Sequence, residues 1–382
     1  MLFTFVGGAG HYEPLAPIAR AALERGHVVA FACRPAMWRL PEADGFEAWP
    51  TGTDAPEPAV IGPLVPLDEA REDLVLRYGF AGDTAAHRAR DVRALCASWR
   101  PDVVVSDEVD FGAMVAAERL AVPHATVLVL PAGSFARPEL LVEPLDQRRA
   151  EQGLPPDPDL AMVRGDLVIA PFPPSFRDPA HPLAATTLAI RPAALAPVAE
   201  WSAGPWPDEV RGLPLVWFTL GTIFNRESGD LFARVVAGLR ERPFRVVVTV
   251  GRSIDLTVLG VQPANVRVER FVPLAALLPQ CDAVVCHGGS GTVVGALAHG
   301  RPLVLLPMGA DQPHNARRCE ALGVGIALDA ATAGSSAIAA AVSRVVEGPS
   351  YRGQAERLGV EARRLPGPLA AVDRLERLAT RA

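Results

Sequence analysis

The chain contains no lysine: all 37 residues counted as lysine or arginine are arginines. A Walker A loop, a protein-kinase site, a Schiff-base or pyridoxal-phosphate enzyme and a Ser-Lys acyl transferase each need a lysine ammonium or its free amine. Arginine cannot stand in, because the guanidinium does not deprotonate. The chemistry must therefore come from His, Asp, Glu, hydroxyls or backbone groups. Cysteine is sparse: Cys33, Cys96, Cys281, Cys286 and Cys319 are scattered, with no C-x-x-C pair. Neither a disulfide framework nor a zinc site is indicated, and a reducing cytoplasm is the expected location. In a chain of net charge −6, the only basic clusters are pairs such as Arg148-Arg149, Arg317-Arg318 and Arg363-Arg364. Such pairs read as solvated faces, so nucleic acid is not an expected partner. The start, MLFTFVGGAG, lacks a positive n-region, and no run reaches the ~18 apolar residues of a membrane span, so no stable membrane insertion is expected.

What is present is a compact α/β grammar. Apolar residues make up 49% and charged residues 21% of 382, and at roughly 150 residues per domain this allows two or three domains. Leu2 to Val6 reads as a strand, Gly7 to Gly10 as a turn, and Glu13 to Arg25 as an amphipathic helix with Pro14 in its first turn. Strands follow at His27 to Cys33 and Phe46 to Trp49, and a long helix at about Thr84 to Trp99. Asp102 to Ser106 and His124 to Leu130 then bracket a helix from about Phe111 to Leu120. Continuous Val/Leu runs separated by helices indicate a parallel sheet covered on both faces.

Between Pro131 and Pro214 sixteen prolines interrupt the pattern, and the interdomain connection is expected near residues 190 to 212. The alternation then restarts. Strands are predicted at Leu215 to Leu220, Phe244 to Val250, Val266 to Phe271, Ala283 to Cys286 and Leu303 to Leu306. Helices are predicted at about Gly229 to Arg240, Gly291 to Ala298, Gln312 to Leu322 and Ser335 to Val346, with a helical tail broken at Pro366-Gly367-Pro368. The predicted fold is α/β, two tandem Rossmann-like doubly wound parallel-sheet domains whose strand ends face a cleft.

The first glycine turn invites a dinucleotide-binding reading, which fails twice. G-x-G-x-x-G aligned on Gly8 and Gly10 meets Glu13 in place of the last glycine, and the second strand ends in Cys33-Arg34 with no acid for a ribose. His11, just past that turn, falls at the carboxyl edge of the sheet, where doubly wound folds place ligands; a His capping the helix would also fit. Asp107 follows the strand DVVVS and falls at the same edge. An Asp accepting from one imidazole nitrogen fixes the tautomer and frees the other nitrogen to take a proton. An Asp at a strand end is also a common helix cap, and Glu108 and Asp110 compete for the role. In HGGSGT, His287 to Thr292, three glycines let backbone N–H groups approach a ligand, and Ser290 and Thr292 add hydroxyls at a helix start. That is a phosphate cradle without lysine or metal. Gly221 and Thr222 can add a backbone N–H and a hydroxyl. Asp311-Gln312 places a carboxylate beside a carboxamide, a pair suited to sugar hydroxyls. Asp157-Pro158-Asp159 has the form of a metal-binding D-x-D but lacks a preceding strand.

Taken together, GAGHYEPL near the amino terminus and RFVPL, HGGSGT, ALAHGRP and DQPHNA in that order resemble the family 1 glycosyltransferases of GT-B architecture, in the bacterial branch that glycosylates natural products. The resemblance implies that His11 is the general base and Asp107 its orienting carboxylate. It further implies that Thr222, His287, Gly289, Ser290, Gly291 and Thr292 surround the donor diphosphate, with Gly221 beside them, and that Asp311 and Gln312 hold the sugar. Phe271 would stack on the nucleotide base and Val272 would offer backbone hydrogen bonds. The implied reaction is inverting and needs neither metal nor cofactor, the nucleotide sugar being a co-substrate. Its partners would be a thymidine or uridine diphospho-sugar and a hydrophobic acceptor, with room for a homodimer. The implied domains are residues 1–200 for the acceptor, 212–365 for the nucleotide sugar, and 366–382 as a helix returning to the first domain. Gly52 to Pro66, part of the acceptor wall in that family, reads as an irregular proline-rich loop. The rival readings are a GT-B transferase on a lipid-linked acceptor, a nucleotide-sugar epimerase, and a non-catalytic partner of another transferase.

Overall fold

The computed structural model describes residues 1–54, 62–196, 201–202, 204–251 and 254–380. Residues 55–61 of the expected proline-rich loop, and 197–200 and 203 of the expected connector, lie outside the described residues. The chain divides into two compact units, one of Met1–Pro56, Glu69–Ala193 and Leu365–Ala382, the other of Glu57–Asp68 and Ala194–Arg364.

The first unit runs β1 (Leu2–Phe5), α1 (Ala9–Tyr12), α2 (Ala16–Glu24), β2 (Ala30–Cys33), α3 (Arg39–Ala43), β3 (Glu47–Pro50) and α4 (Glu69–Leu74). A π-helical stretch (Val75–Thr84) leads into α5 (Ala85–Trp99), β4 (Val104–Asp107), α6 (Phe111–Arg119), β5 (His124–Val127), α7 (Pro138–Glu151), α8 (Ala161–Arg164), β6 (Leu167–Ala170) and β7 (Leu188–Ala189). Its strands are parallel in the order β3-β2-β1-β4-β5-β6-β7. The second unit runs β8 (Leu215–Thr219), α9 (Leu231–Leu239), β9 (Arg245–Thr249), β10 (Val266–Glu269), α10 (Leu274–Leu277), β11 (Ala283–Cys286), α11 (Ser290–Ala298), β12 (Leu303–Leu305), α12 (Gln312–Ala321), β13 (Gly325–Ala327), α13 (Ser335–Glu347) and α14 (Pro349–Arg364). Its parallel order is β10-β9-β8-β11-β12-β13. Both are doubly wound sheets whose winding reverses once, at β1/β4 and at β8/β11. The central strands are buried along their whole length, as continuous apolar runs under helices on both faces require.

Several elements depart from expectation for local reasons. The predicted helix from Glu13 is two pieces. Helix already begins at Ala9, Pro14 falls in the break, and Pro17 is the proline in the first turn of α2. A proline ring mid-helix would strike the carbonyl four residues back, so the chain re-enters the helix after it. The proline-rich interval holds α7, β6 and β7, which extend the first sheet; β6 and β7 span only 4 and 2 residues, too few for periodicity to register among so many prolines. The helix expected from Thr84 is preceded by helical chain from Glu69, hidden because a π-stretch breaks the 3.6-residue repeat.

The final helix, α15 (Leu369–Ala379), buries Ala371, Val372 and Leu375 in the core of the first unit. Arg25, just past α2, donates to Asp373 (2.7 Å) and Glu376 (3.3 Å), and His27 pairs with Glu376 (2.8 Å). Residues 62–68, expected with the amino-terminal domain, pack instead with the second unit. Gly62 donates its N–H to the Arg226 carbonyl (2.6 Å) and accepts from Gly229 N–H (3.1 Å), while Leu64 covers the second core.

Within the first unit, α5 and α6 close on a buried ion pair. Arg88 is fully buried; its guanidinium grips both oxygens of Asp110 and reaches the Thr51 hydroxyl and the Ala32 carbonyl. Gly112 permits the approach: a Cβ there would overlap Arg88 Cβ and lie 2.5 Å from the Ala85 carbonyl oxygen. Gly112→Ala is accordingly expected to destabilise the first unit by ~1–3 kcal/mol, read as a lower urea midpoint with an unchanged slope.

Candidate active site

In a doubly wound sheet the connections leave in opposite directions at the winding reversal, which opens a crevice at the carboxyl ends of the two strands involved. In the first unit those strands are β1 and β4, with Thr4 in register with Ser106. Beyond β1, Val6 donates its N–H to Asp107 Oδ2 (3.0 Å), and Val109 N–H reaches Asp107 Oδ1 (2.7 Å). His11 Nδ1 lies 3.1 Å from Asp107 Oδ2; the carboxylate is fully buried and the imidazole 21% exposed. Facing a carboxylate, Nδ1 carries the proton, which makes Nε2 the acceptor nitrogen of the ring. Gly7 makes room for this, since a Cβ there would overlap the His11 ring. Of the three acids on this turn, Asp107 is the one at His11. Glu108 turns to the chain just past β5, its Oε2 accepting from Val129 (2.6 Å) and Leu130 (2.8 Å) N–H, and Asp110 caps α6 and holds Arg88.

In the second unit the reversal lies between β8 and β11, where Gly221 and His287 follow the two strands. The His287 ring packs against both Gly221 and Gly289; a Cβ on Gly221 would lie 2.7 Å from His287 Cε1. Burial pushes the imidazole down to about 4, so at neutral pH it is an uncharged hydrogen-bonding group, and its buried Nδ1 has no partner among the described residues. Helix α11 starts at Ser290 behind Gly289, whose N-cap position has no side-chain cap. The N–H groups of Ser290, Gly291 and Thr292 are therefore first-turn donors at the positive end of a helix. The Ser290 hydroxyl donates to Asp311, the N-cap of α12, and Asn315 binds the same carboxylate at 2.7 Å. Gly221 N–H donates to the Thr219 hydroxyl (3.2 Å), and Thr222 is exposed. Phe271, two residues past β10, is half-exposed and Val272 is buried.

Residues 234–378 match the family described as "Erythromycin biosynthesis protein CIII-like, C-terminal domain". The chain is 30% identical to 10-deoxymethynolide desosaminyltransferase of Streptomyces venezuelae, over 99% of this chain and 97% of that protein. It is 30% identical to TDP-daunosamine transferase DnrS of Streptomyces peucetius, over 100% and 97% of the two chains. The chain belongs to the bacterial natural-product glycosyltransferases of family 1. The glycosyltransferase fold is GT-B. SsfS6 of Streptomyces sp. SF2575, solved in complex with thymidine diphosphate, superposes with a TM-score of 0.73 at 27% identity over 99% of each chain.

Some residues of the glycosyltransferase sit differently from the sequence expectation. Gln312 is buried with Oε1 accepting from Met308 (2.8 Å) and Gly309 (3.3 Å) N–H, so its oxygen braces its own turn and its NH₂ is the group left for a ligand. The D-x-D look-alike, which lacks a preceding strand, is engaged locally: Asp157 accepts from the Ala161 (2.9 Å) and Met162 (2.8 Å) N–H groups that open α8. Among the described residues no cluster of three or more His, Cys, Asp or Glu is placed to hold a metal ion, and no helix is long and apolar enough to cross a membrane. Sequence reasoning missed Gly7, Val6 and Asn315. The signals were a first turn with glycine directly after the strand and an Asn one turn past Asp311.

Gly221 has φ +71°, and Gly221→Ala adds both backbone strain and a clash with His287. Nucleoside diphosphate affinity is expected to fall about ten-fold, equivalent to ~1.4 kcal/mol, with calorimetry as the check. Burial pushes the Glu108 carboxyl up to about 7, against the pull of Arg177 and its two N–H donors. Because this carboxyl binds its proton more tightly in the folded than in the unfolded chain, its contribution to stability declines as pH rises from about 4.5 to 7. Glu108→Gln should therefore gain on the native enzyme across that interval, and a constant difference between pH 5 and 8 in urea melts would contradict the assignment.

Proposed function

We propose that the enzyme transfers a deoxysugar from a thymidine or uridine diphospho-sugar to a hydroxyl of a hydrophobic natural-product acceptor, in one inverting displacement, in the cytoplasm and without a metal or other cofactor. The observation that carries the reading is the 3.1 Å contact between His11 Nδ1 and the buried carboxylate of Asp107. His11 Nε2 removes the acceptor proton as the acceptor oxygen bonds to the anomeric carbon. The bond from that carbon to the diphosphate breaks on the opposite face, through an oxocarbenium-like transition state. Asp107 holds the tautomer and stabilises the imidazolium once the proton has arrived. The departing diphosphate gathers negative charge, which the N–H groups of Ser290, Gly291 and Thr292 offset from the end of α11. His287, uncharged, adds a hydrogen bond. Asp311 and the Gln312 NH₂ take the sugar hydroxyls, Thr222 adds a hydroxyl beside the diphosphate, and Phe271 stacks on the base with Val272 bonding through its backbone.

The names of the relatives support the choice of donor and acceptor: one is a TDP-daunosamine transferase, another a desosaminyltransferase acting on 10-deoxymethynolide. Exposed Leu74, Val75 and Tyr78, along one helical segment of the unit that carries His11, offer the apolar surface such an acceptor needs. The test is transfer from a TDP-sugar in the presence of a chelator, with the anomeric configuration of the product read by proton coupling constants. Inverted product in chelator is expected; retained configuration, or turnover only with added divalent cation, would contradict the mechanism.

A further inference from the structure

Asn315 belongs to neither the base nor the donor groups named so far, yet it touches three parts of the donor site. Fully buried in the first turn of α12, its NH₂ lies 2.7 Å from Asp311 Oδ2, 3.1 Å from Ser290 Oγ and 3.0 Å from the Gly288 carbonyl. The Gly288 carbonyl and the Asp311 carboxylate only accept, so the amide must present its nitrogen here. Its Oδ1 is then left buried with no hydrogen-bond partner among the described residues. A residue kept for packing alone would avoid that penalty by being apolar. The orphaned carbonyl therefore points to the NH₂ as the reason an amide stands at this position.

The arrangement also contains a conflict that Asn315 resolves. The Ser290 hydroxyl, with its single proton, donates to Asp311 in this structure. If Ser290 turns that proton to a diphosphate oxygen, it releases Asp311. Asn315 can keep donating to both Ser290 Oγ and Asp311 Oδ2 through the exchange, because its own bonds do not use the proton that moves.

We propose that Asn315 is a positioning residue that keeps the sugar-side carboxylate of Asp311 in register with the diphosphate-side turn of Gly288 to Ser290 while Ser290 changes partner. This rests on the donor-site reading above and refines it. A nucleoside diphosphate alone needs the turn, whereas a nucleoside diphosphate carrying a hexose also needs Asp311. The effect of Asn315 therefore emerges when the sugar is attached.

The experiment is calorimetric titration of the full-length protein with thymidine diphosphate and, separately, with TDP-glucose. Asn315→Ala is expected to weaken TDP-glucose on the order of ten-fold, the scale of one charge-assisted hydrogen bond, while thymidine diphosphate is held nearly as before. Asn315→Ser, which retains one donor hydrogen, should recover part of the difference, and it carries the test if the alanine variant does not fold. In turnover the loss should fall on the KM for the sugar nucleotide more than on kcat. Equal weakening of both ligands, or of neither, overturns the proposal while leaving the donor site standing. A native protein that binds neither nucleotide overturns the donor-site reading, and this proposal with it.

Discussion

His11→Ala is expected to lower sugar transfer by at least ~10²-fold, the usual worth of a general base, while thymidine diphosphate binding stays unchanged. The separation follows from the fold. His11 and Asp107 sit at the winding reversal of the first sheet, whereas the groups assigned to the diphosphate sit at the reversal of the second. Removing the imidazole takes away a proton acceptor and no donor contact. Asp107→Asn is expected to cost ~10²–10⁴-fold although its shape is conserved. The carboxylate accepts from Val6 N–H, Val109 N–H and His11 Nδ1. An amide at that position can offer its NH₂ to the ring, which favours the tautomer that leaves Nε2 protonated and unable to serve as a base. Steady-state rates at saturating donor, beside calorimetric affinities, check both variants. Turnover of His11→Ala equal to that of the native enzyme would sink the assignment of the base.

The largest expected loss of stability is at Arg88. Its side chain and that of Asp110 are 1% and 0% exposed, and the same guanidinium serves the Thr51 hydroxyl and the Ala32 carbonyl. Arg88→Ala leaves a buried carboxylate without its counter-charge and withdraws a donor from the Thr51 hydroxyl and the Ala32 carbonyl. Breaking such a pair costs about 3–5 kcal/mol, a large part of the ~5–15 kcal/mol by which a typical domain is stable. Removing both charges, as in Arg88→Met with Asp110→Leu, should cost less, because nothing charged is left stranded; the lost cap on Ala113 N–H sets what remains. Urea melts of the two variants decide, and an Arg88→Ala loss below that of the double variant would contradict this account. On the proposed mechanism the pair also bears on catalysis, since Asp110 N–H closes the turn onto the Asp107 carbonyl at 3.2 Å. Variants that survive should show a weakened base as well as a weakened fold.

What the sequence disclosed, and what it hid, divides along physical lines. Strands buried on both faces, such as Val104–Asp107 and Ala283–Cys286, stand out as apolar runs. The residues at or just past their carboxyl ends, Asp107 and His287, could be nominated from position alone. Strands of two to four residues in a proline-rich setting, β6 and β7, carry too little periodicity to be seen. Chain order alone also does not reveal that Gly62 and Leu64 pack with the second unit, because that depends on which core has apolar surface left to cover. At the site, residue types suggested roles but not commitments. Ser290 and Gln312 read as free ligands, yet the hydroxyl of one is engaged by Asp311 and the carbonyl of the other by its own turn. The choice of Asp107 over Glu108 and Asp110 likewise depends on the folded turn, since three acids within four residues face three directions.

We propose that this lysine-free chain holds a diphosphate with the backbone of Gly289 to Thr292, with hydroxyls and with an uncharged His287. Calorimetric titration of the native protein with thymidine diphosphate in the presence of a chelator tests this most directly. The account predicts saturable binding that the chelator leaves unchanged and that Gly221→Ala weakens. Binding that appears only with a divalent cation, or that is indifferent to Gly221→Ala, would contradict it.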